Sequence, residues 1–198
     1  MTKTPDITDR RGPATVEILK LRIELEDIRP VVSRTVLIRA SSSLATLHKL
    51  VQCAMGWEDC HLHEFVHDGQ RYGPTWMQDL HSMGDPPLSE RKQLGTLFRD
   101  GSTTLRYAYD FGDGWQHLIT LLERLPPDIR MRKPRCVAGE NACPPEDVGG
   151  PPGYMHFLEA VLDASHEDHE EMVEWHGPGF DPGCFDLARV EAEITRYL

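Results

Sequence analysis

Thr103-Thr-Leu-Arg-Tyr-Ala-Tyr109 and Trp115-Gln-His-Leu-Ile-Thr-Leu-Leu-Glu-Arg124 stand on either side of Asp110-Phe-Gly-Asp-Gly114. Apolar and polar residues alternate through both runs, the period of a strand with one buried face. Gly112-Asp113-Gly114 supplies residue types that tolerate positive φ, so the runs are predicted as an antiparallel hairpin closed by a tight turn. Upstream the same pattern recurs. Val16, Ile18, Leu21, Ile23 and Leu25 alternate with polar residues, Arg29-Pro30 breaks the run, and Val31 to Ile38 follows as a second strand able to pair antiparallel with the first. His61 to Val66 is a further short strand.

Helical signals are of a different kind and come mostly later. Ser42 or Ser43 is placed to cap a helix whose apolar stripe is Leu44, Leu47, Leu50, Val51, Ala54 and Met55, with Gly56 where a C-terminal cap belongs. Leu88 to Phe98 is predicted helical in its second half, and further helices are predicted at Tyr154–Asp163, His166–Trp175 and Leu187–Tyr197. Strands first and helices late argue for an α+β fold: a mainly antiparallel sheet of about five strands packed against helices, with a helical C-terminal third. Gln70 to Pro87 reads as loop, although Tyr72 and Trp76 suggest that parts of it pack down. Pro126 to Gly153 reads as a long irregular segment, and such a loop inside a compact domain is usually functional or disordered.

With 198 residues the chain is expected to form one domain over 15–198, after a disordered leader over 1–14. No apolar run approaches the roughly 18–20 residues of a membrane span. The N-terminus is polar, without the apolar segment of a signal peptide, so the expected location is cytoplasmic. The formal charge of −11 is uneven, at +1 up to residue 135 and −12 beyond it. Arg124, Arg130, Arg132, Lys133 and Arg135 form the one local basic cluster, so nucleic acid is the weakest of the partner classes. Five cysteines and no secretory context disfavour a disulfide scaffold, and Cys53, Cys60 and Cys184 are expected to be packing residues.

Three stretches are dense in chemistry-bearing residues. In Tyr107 to His117, Asp110, Asp113 and His117 bracket the turn beside Tyr109 and Trp115; hairpin chemistry alone would also use such residues. Asp110-Phe-Gly112 resembles a kinase metal-binding tripeptide, but no G-x-G-x-x-G loop or H-R-D loop accompanies it. In His61-Leu-His-Glu-Phe65, His61 and His63 share a strand face and can share a ligand, or can be hydrogen-bonded half-buried histidines. In Cys136 to Gly150, Cys136 and Cys143 offer thiols. Glu146 and Asp147 are adjacent carboxylates, one free to bind a ligand while the other caps a helix beginning near Gly153. His166-Glu-Asp-His-Glu170 falls short of H-E-x-x-H and reads as a solvated acidic face.

Together these segments resemble the plasmid pRiA4b ORF-three-like proteins, whose relatives are often labelled insertion-element passenger proteins of the "TnpR" kind. The resemblance rests on Leu47-His48, Ala54-Met-Gly-Trp57, His61-Leu-His-Glu-Phe65, Tyr109-Asp-Phe-Gly-Asp-Gly-Trp-Gln-His117, Cys136, Cys143-Pro-Pro-Glu-Asp-Val-Gly-Gly150, Gly153-Tyr154, Trp175 and Phe180-Asp-Pro182. It spans roughly residues 16–198. Two departures are visible: Ser33 precedes Arg34 where the family usually has Trp, and Val148 stands where some members carry Cys. The resemblance implies an α+β fold and a bacterial or archaeal protein linked to mobile elements, without assigning an activity.

The leading expectation is a ligand- or metal-binding cleft, open to hydrolytic chemistry, where the three stretches converge. Its ligand-binding candidates are His61, His63, Tyr109, Asp113, Trp115 and Asp147, with Asp110 or Glu146 as general base. Zinc is the cofactor that would suit His117, Cys136 and Cys143 as metal ligands. The alternative is an interaction module whose acidic terminal helices dock a protein partner through Trp175, Phe180 and Phe185.

Overall fold

A computed structural model describes residues 16–76, 87–99 and 101–198. The expected leader lies outside these residues, as does much of the loop expected before Pro87. The elements run β1 (Ile18–Leu25), β2 (Ser33–Arg39), α1 (Leu44–Met55), β3 (His63–His67), β4 (Gln70–Gly73), β5 (Leu88–Ser89), α2 (Leu94–Leu97), β6 (Thr104–Tyr109), β7 (Trp115–Leu125), β8 (Arg135–Glu140), α3 (Gly150–Leu162), α4 (His169–His176) and α5 (Leu187–Tyr197). The fold is α+β. Its strands form one sheet in the order β5-β4-β3-β6-β7-β1-β2-β8, antiparallel at every pairing but the short β4–β5 contact. The expectation of about five strands is therefore corrected to eight. β4, β5 and β8 lie in stretches rich in glycine, proline and charge, where no apolar alternation marks a strand.

The hairpin centres the sheet. Tyr109 faces Trp115 and Tyr107 faces His117 across β6 and β7, and all four side chains are buried. Asp110 (φ 51°) and Gly114 (φ 73°) carry the turn through the left-handed region. β1 packs between β7 and β2, so its alternation buries Leu19, Leu21, Ile23 and Leu25 in the core. Each such large apolar side chain contributes roughly 1.5–3 kcal/mol on burial.

α1 begins and ends where its sequence signals stand. Ser43 Oγ accepts from Thr46 N at 3.2 Å, and Gly56 adopts φ 86° at the C-cap. Its apolar stripe joins the core, and α5 packs beside it and across β8. There Glu191 of α5 accepts the amide of Cys136 at 2.6 Å and pairs with Arg135 at 3.0 Å.

The loop between β8 and α3 returns to the hairpin turn. Gly149 N donates to Asp113 Oδ2 at 3.1 Å. Gly150 sits so close that a Cβ there would lie 2.2 Å from the Asp113 carbonyl oxygen. α3 thus starts at Gly150, earlier than expected, and neither Glu146 nor Asp147 caps it: its N-cap is Gly149, with no side-chain hydrogen bond.

Candidate functional site

Three segments distant in sequence are stitched together by specific bonds. Trp57, just past α1, donates its indole N–H to the Pro144 carbonyl at 3.0 Å and stacks on Tyr109 with ring centroids 4.9 Å apart. Glu146 Oε1 accepts from the Glu58 amide at 2.7 Å and from the Tyr109 hydroxyl at 2.9 Å. The Tyr109 oxygen also accepts the Cys60 amide at 3.2 Å. These contacts bring the segment before β3, the hairpin turn and the loop before α3 to one place.

His61 is the centre of that place. Its Nε2 lies 3.0 Å from Asp147 Oδ1, 3.7 Å from Asp110 Oδ2 and 3.9 Å from Glu146 Oε2. Two of these carboxylates are pinned by their other oxygen: Asp110 Oδ1 accepts the Gly112 amide at 2.9 Å, and Glu146 Oε1 takes the two donors above. His61 Nε2 and Glu146 Oε2 are both buried atoms without a hydrogen-bond partner. Burial raises the Glu146 carboxyl above its usual range, and the Asp147 carboxylate adds to this; the Glu58 amide, the Tyr109 hydroxyl and His61 oppose it. Three carboxyl groups crowded around one imidazole nitrogen repel one another unless a positive charge sits among them.

The ligand-type atoms of His61, Asp110 and Asp147 lie within 4.8 Å of one another, as do those of Cys60, His61 and Glu146. Such separations contract readily onto a cation, whose bonds to nitrogen and oxygen are about 2.0–2.2 Å for zinc. The site lies along a cleft of about 540 Å³ lined also by His48, His63, Asp59 and Glu90, a size suited to a small ligand. On that wall His48 and His63 stack with centroids 3.5 Å apart and planes 8° from parallel. His63 Nε2 is 2.9 Å from Glu90 Oε2 and His48 Nε2 is 2.7 Å from Asp59 Oδ1. Tyr107 accepts from Gln52 at 3.0 Å, so its own proton is available to His48 Nδ1 at 2.8 Å. His48 then has its proton on Nε2, donated to Asp59. Burial and the neighbouring His63 push its pKa down to about 4, and it is neutral at ordinary pH.

The sequence-predicted residues divide sharply. His61, Asp110, Glu146 and Asp147 come together, with Tyr109 beneath them as the group that fixes Glu146. His63 lines the same cleft but pairs with Glu90. Asp113 holds the loop before α3, and Trp115 is fully buried in the core. The trio His117, Cys136 and Cys143 is not assembled: among the described residues, none of the three belongs to a group of ligand atoms within 4.8 Å. His117 is fully buried edge-on to Trp57 at 5.3 Å, and burial lowers its pKa to about 3. The Cys136 thiol donates to the Ala138 carbonyl at 3.4 Å. Cys60 and Cys184 are exposed, against the expectation that they pack.

Sequence reasoning passed over Asp59 and Glu90, which carry no motif, and read His48 as a landmark of the resemblance without giving it a place in the site; the Asp59-Cys-His61 run was the available signal for Asp59 and Cys60. Phe180 packs on Phe157 at 5.0 Å and Phe185 lies over Arg34, so of the expected partner anchors Trp175 is the most exposed. In the basic cluster, Arg130 pairs with Asp128 and Arg135 with Glu191. Among the described residues no helix is long and apolar enough to cross a membrane.

This arrangement has relatives. The protein y4hQ of Sinorhizobium fredii, described as uncharacterized, is 38% identical over 180 residues, covering 89% of this chain and 90% of its own. A crystal structure of MM3350 from Methanosarcina mazei, described as a protein of unknown function, matches with a TM-score of 0.78 and 36% identity, over 87% of this chain and 97% of that one. The model of the plasmid pRiA4b ORF-3-like proteins matches residues 17–189, and the chain belongs to that family.

Proposed function

We propose that the cleft binds a divalent cation through His61, Asp110, Glu146 and Asp147, and that the bound cation holds a small ligand against the His48–His63 wall. The observation that carries this reading is the buried, unbonded Nε2 of His61, with carboxylate oxygens at 3.0, 3.7 and 3.9 Å around it. An imidazole with carboxylates suits zinc or manganese, and the nearby thiol of Cys60 favours zinc. In this arrangement Asp110 and Glu146 are ligands rather than bases. A cation held here would polarise a carbonyl or phosphoryl oxygen, or activate a water, in the cleft.

Calorimetric titration of the metal-free protein with Zn²⁺, Mn²⁺ and Mg²⁺ tests the reading. One equivalent of Zn²⁺ or Mn²⁺ should bind, and His61→Ala or Asp147→Asn should weaken it at least about tenfold, or ~1.4 kcal/mol. Binding unchanged in His61→Ala, or no stoichiometric binding by the wild-type protein, rejects the site.

A further inference from the structure

A second cavity adjoins the cation cleft, sharing Lys49 and Asp59 with it and reaching Glu146, but its chemistry centres on a different residue. It is a groove of about 1000 Å³ whose lining includes Arg34, Trp57, Cys143, Phe180 and Phe185. Arg34 is its anomaly. The side chain projects from β2 with only 3% of its surface exposed, yet among the described residues no carboxylate pairs with it. A buried charge without a counterion is strongly disfavoured.

The guanidinium is only partly satisfied. Its Nε donates to the Ala54 carbonyl at 2.8 Å, near the carbonyl end of α1. Its Nη1 donates to the Ser33 carbonyl at 2.8 Å and the Glu140 carbonyl at 2.9 Å. Those bonds use every proton on Nε and Nη1. Both protons of Nη2 have no acceptor among the described residues. One face of the guanidinium is covered by the Phe185 ring, 4.5 Å away, and that ring is seated against Gly139, where a Cβ would come within 2.5 Å of it. The thiols of Cys136 and Cys143 are near enough to feel the charge, but burial raises both, so they stay protonated and do not neutralise it. Carbonyl dipoles and an aromatic face soften the burial of this cation without cancelling it.

We infer that the groove binds a small organic carboxylate, its carboxylate oxygen on Arg34 Nη2 and its apolar body against Trp57, Phe180 and Phe185. The free guanidinium nitrogen offers an end-on contact to one oxygen of the ligand. The surrounding charge selects a single carboxylate over a phosphate: Glu58, Asp59, Glu146, Asp181, Asp186 and Glu193 line the groove against Arg34, Lys49 and Arg189, and the net negative field opposes a dianion more than a monoanion.

The test uses the whole protein and three probes of one chain length: hexanoate, hexanol and hexyl phosphate. Side-chain guanidinium NMR of Arg34 reports the contact without any substitution. Hexanoate should shift the Arg34 resonances saturably and slow thiol labelling of Cys184, which is exposed and lines the groove. Hexanol and hexyl phosphate should each bind at least about tenfold more weakly. Phe185→Leu, which leaves the buried charge in place, should weaken hexanoate severalfold with Arg34 still visible. No saturable shift with hexanoate, or hexanol binding equally well, overturns the inference; hexyl phosphate binding as tightly or more tightly overturns the carboxylate assignment. Zn²⁺ titration of the same sample reads the other cleft, so failure of one site is separable from failure of the other.

Discussion

Gly150→Ala attacks the contact that places Glu146 and Asp147 beside His61. Gly150 has φ +69°, and its new Cβ would stand 2.2 Å from the Asp113 carbonyl oxygen and 3.1 Å from its carbon. Both atoms are backbone, so no side-chain rotation relieves the clash. The loop must retreat by about 1 Å to reach the ~3.3 Å at which carbon and carbonyl oxygen touch. Left-handed backbone with a Cβ costs roughly 1–2 kcal/mol, and overpacking adds about 1–3 kcal/mol. The sum, about 2–5 kcal/mol, should lower Tm by roughly 4–20 °C in a chain of this length. Gly69→Ala is the control, because Gly69 has φ +75° with nothing within 4 Å of a new Cβ. It should lose only the backbone part, about 1–2 kcal/mol. Urea unfolding of both variants measures the difference. Zn²⁺ titration should show weaker binding in Gly150→Ala alone, because the Gly149–Asp113 bond is drawn apart with the loop. Equal losses of stability in the two variants would refute the close approach.

Two further outcomes are expected. Tyr109→Phe removes the hydroxyl that holds Glu146 Oε1 and accepts the Cys60 amide; it should cost about 1–3 kcal/mol of stability and weaken Zn²⁺ severalfold, and unchanged Zn²⁺ affinity would show that Tyr109 does not position Glu146. His48 and His117, lowered by burial to about 4 and about 3, stay neutral in the fold while the unfolded chain protonates them near pH ~6.5. The unfolded state therefore binds more protons below that pH. Their contribution is complete above pH ~6.5 and is lost as pH falls toward about 4, at up to ~2.7 kcal/mol per pH unit for the pair. Denaturant titrations across that window should show the slope, and His117→Gln should reduce it by about half; a flat profile contradicts the buried neutral histidines.

What the sequence disclosed depended on whether a residue's surroundings were local. α1 could be read to its caps because Ser43 and Gly56 act on their own helix, and the hairpin could be read because its alternation and its turn are contiguous. β8 was hidden because Cys136 is its one well-buried side chain, so no alternating pattern forms. His61, Asp110, Glu146 and Asp147 were legible as residue types, and their convergence followed from segments rich in Gly and Pro. Their pairing was not legible, since it depends on bonds such as Tyr109 to Glu146 across 37 positions. His117 misled for a related reason: its place beside Trp115 suggested a site, but the inward face of β7 carries it into the core. Arg34 lay in an ordinary strand, and what sets it apart in three dimensions is that no carboxylate among the described residues pairs with it.

The clasp of Glu191 on the outer strand has a consequence for how copies of this chain can meet. An open sheet of eight strands has two margins, and each is a template on which a foreign strand can build. At β8 the helix α5 overlies the margin and Glu191 occupies the Cys136 amide that an incoming strand would seek. At the opposite margin β5 is only two residues long, too short to nucleate pairing. Among the described residues, both margins of the wide sheet are thereby poor templates for edge addition.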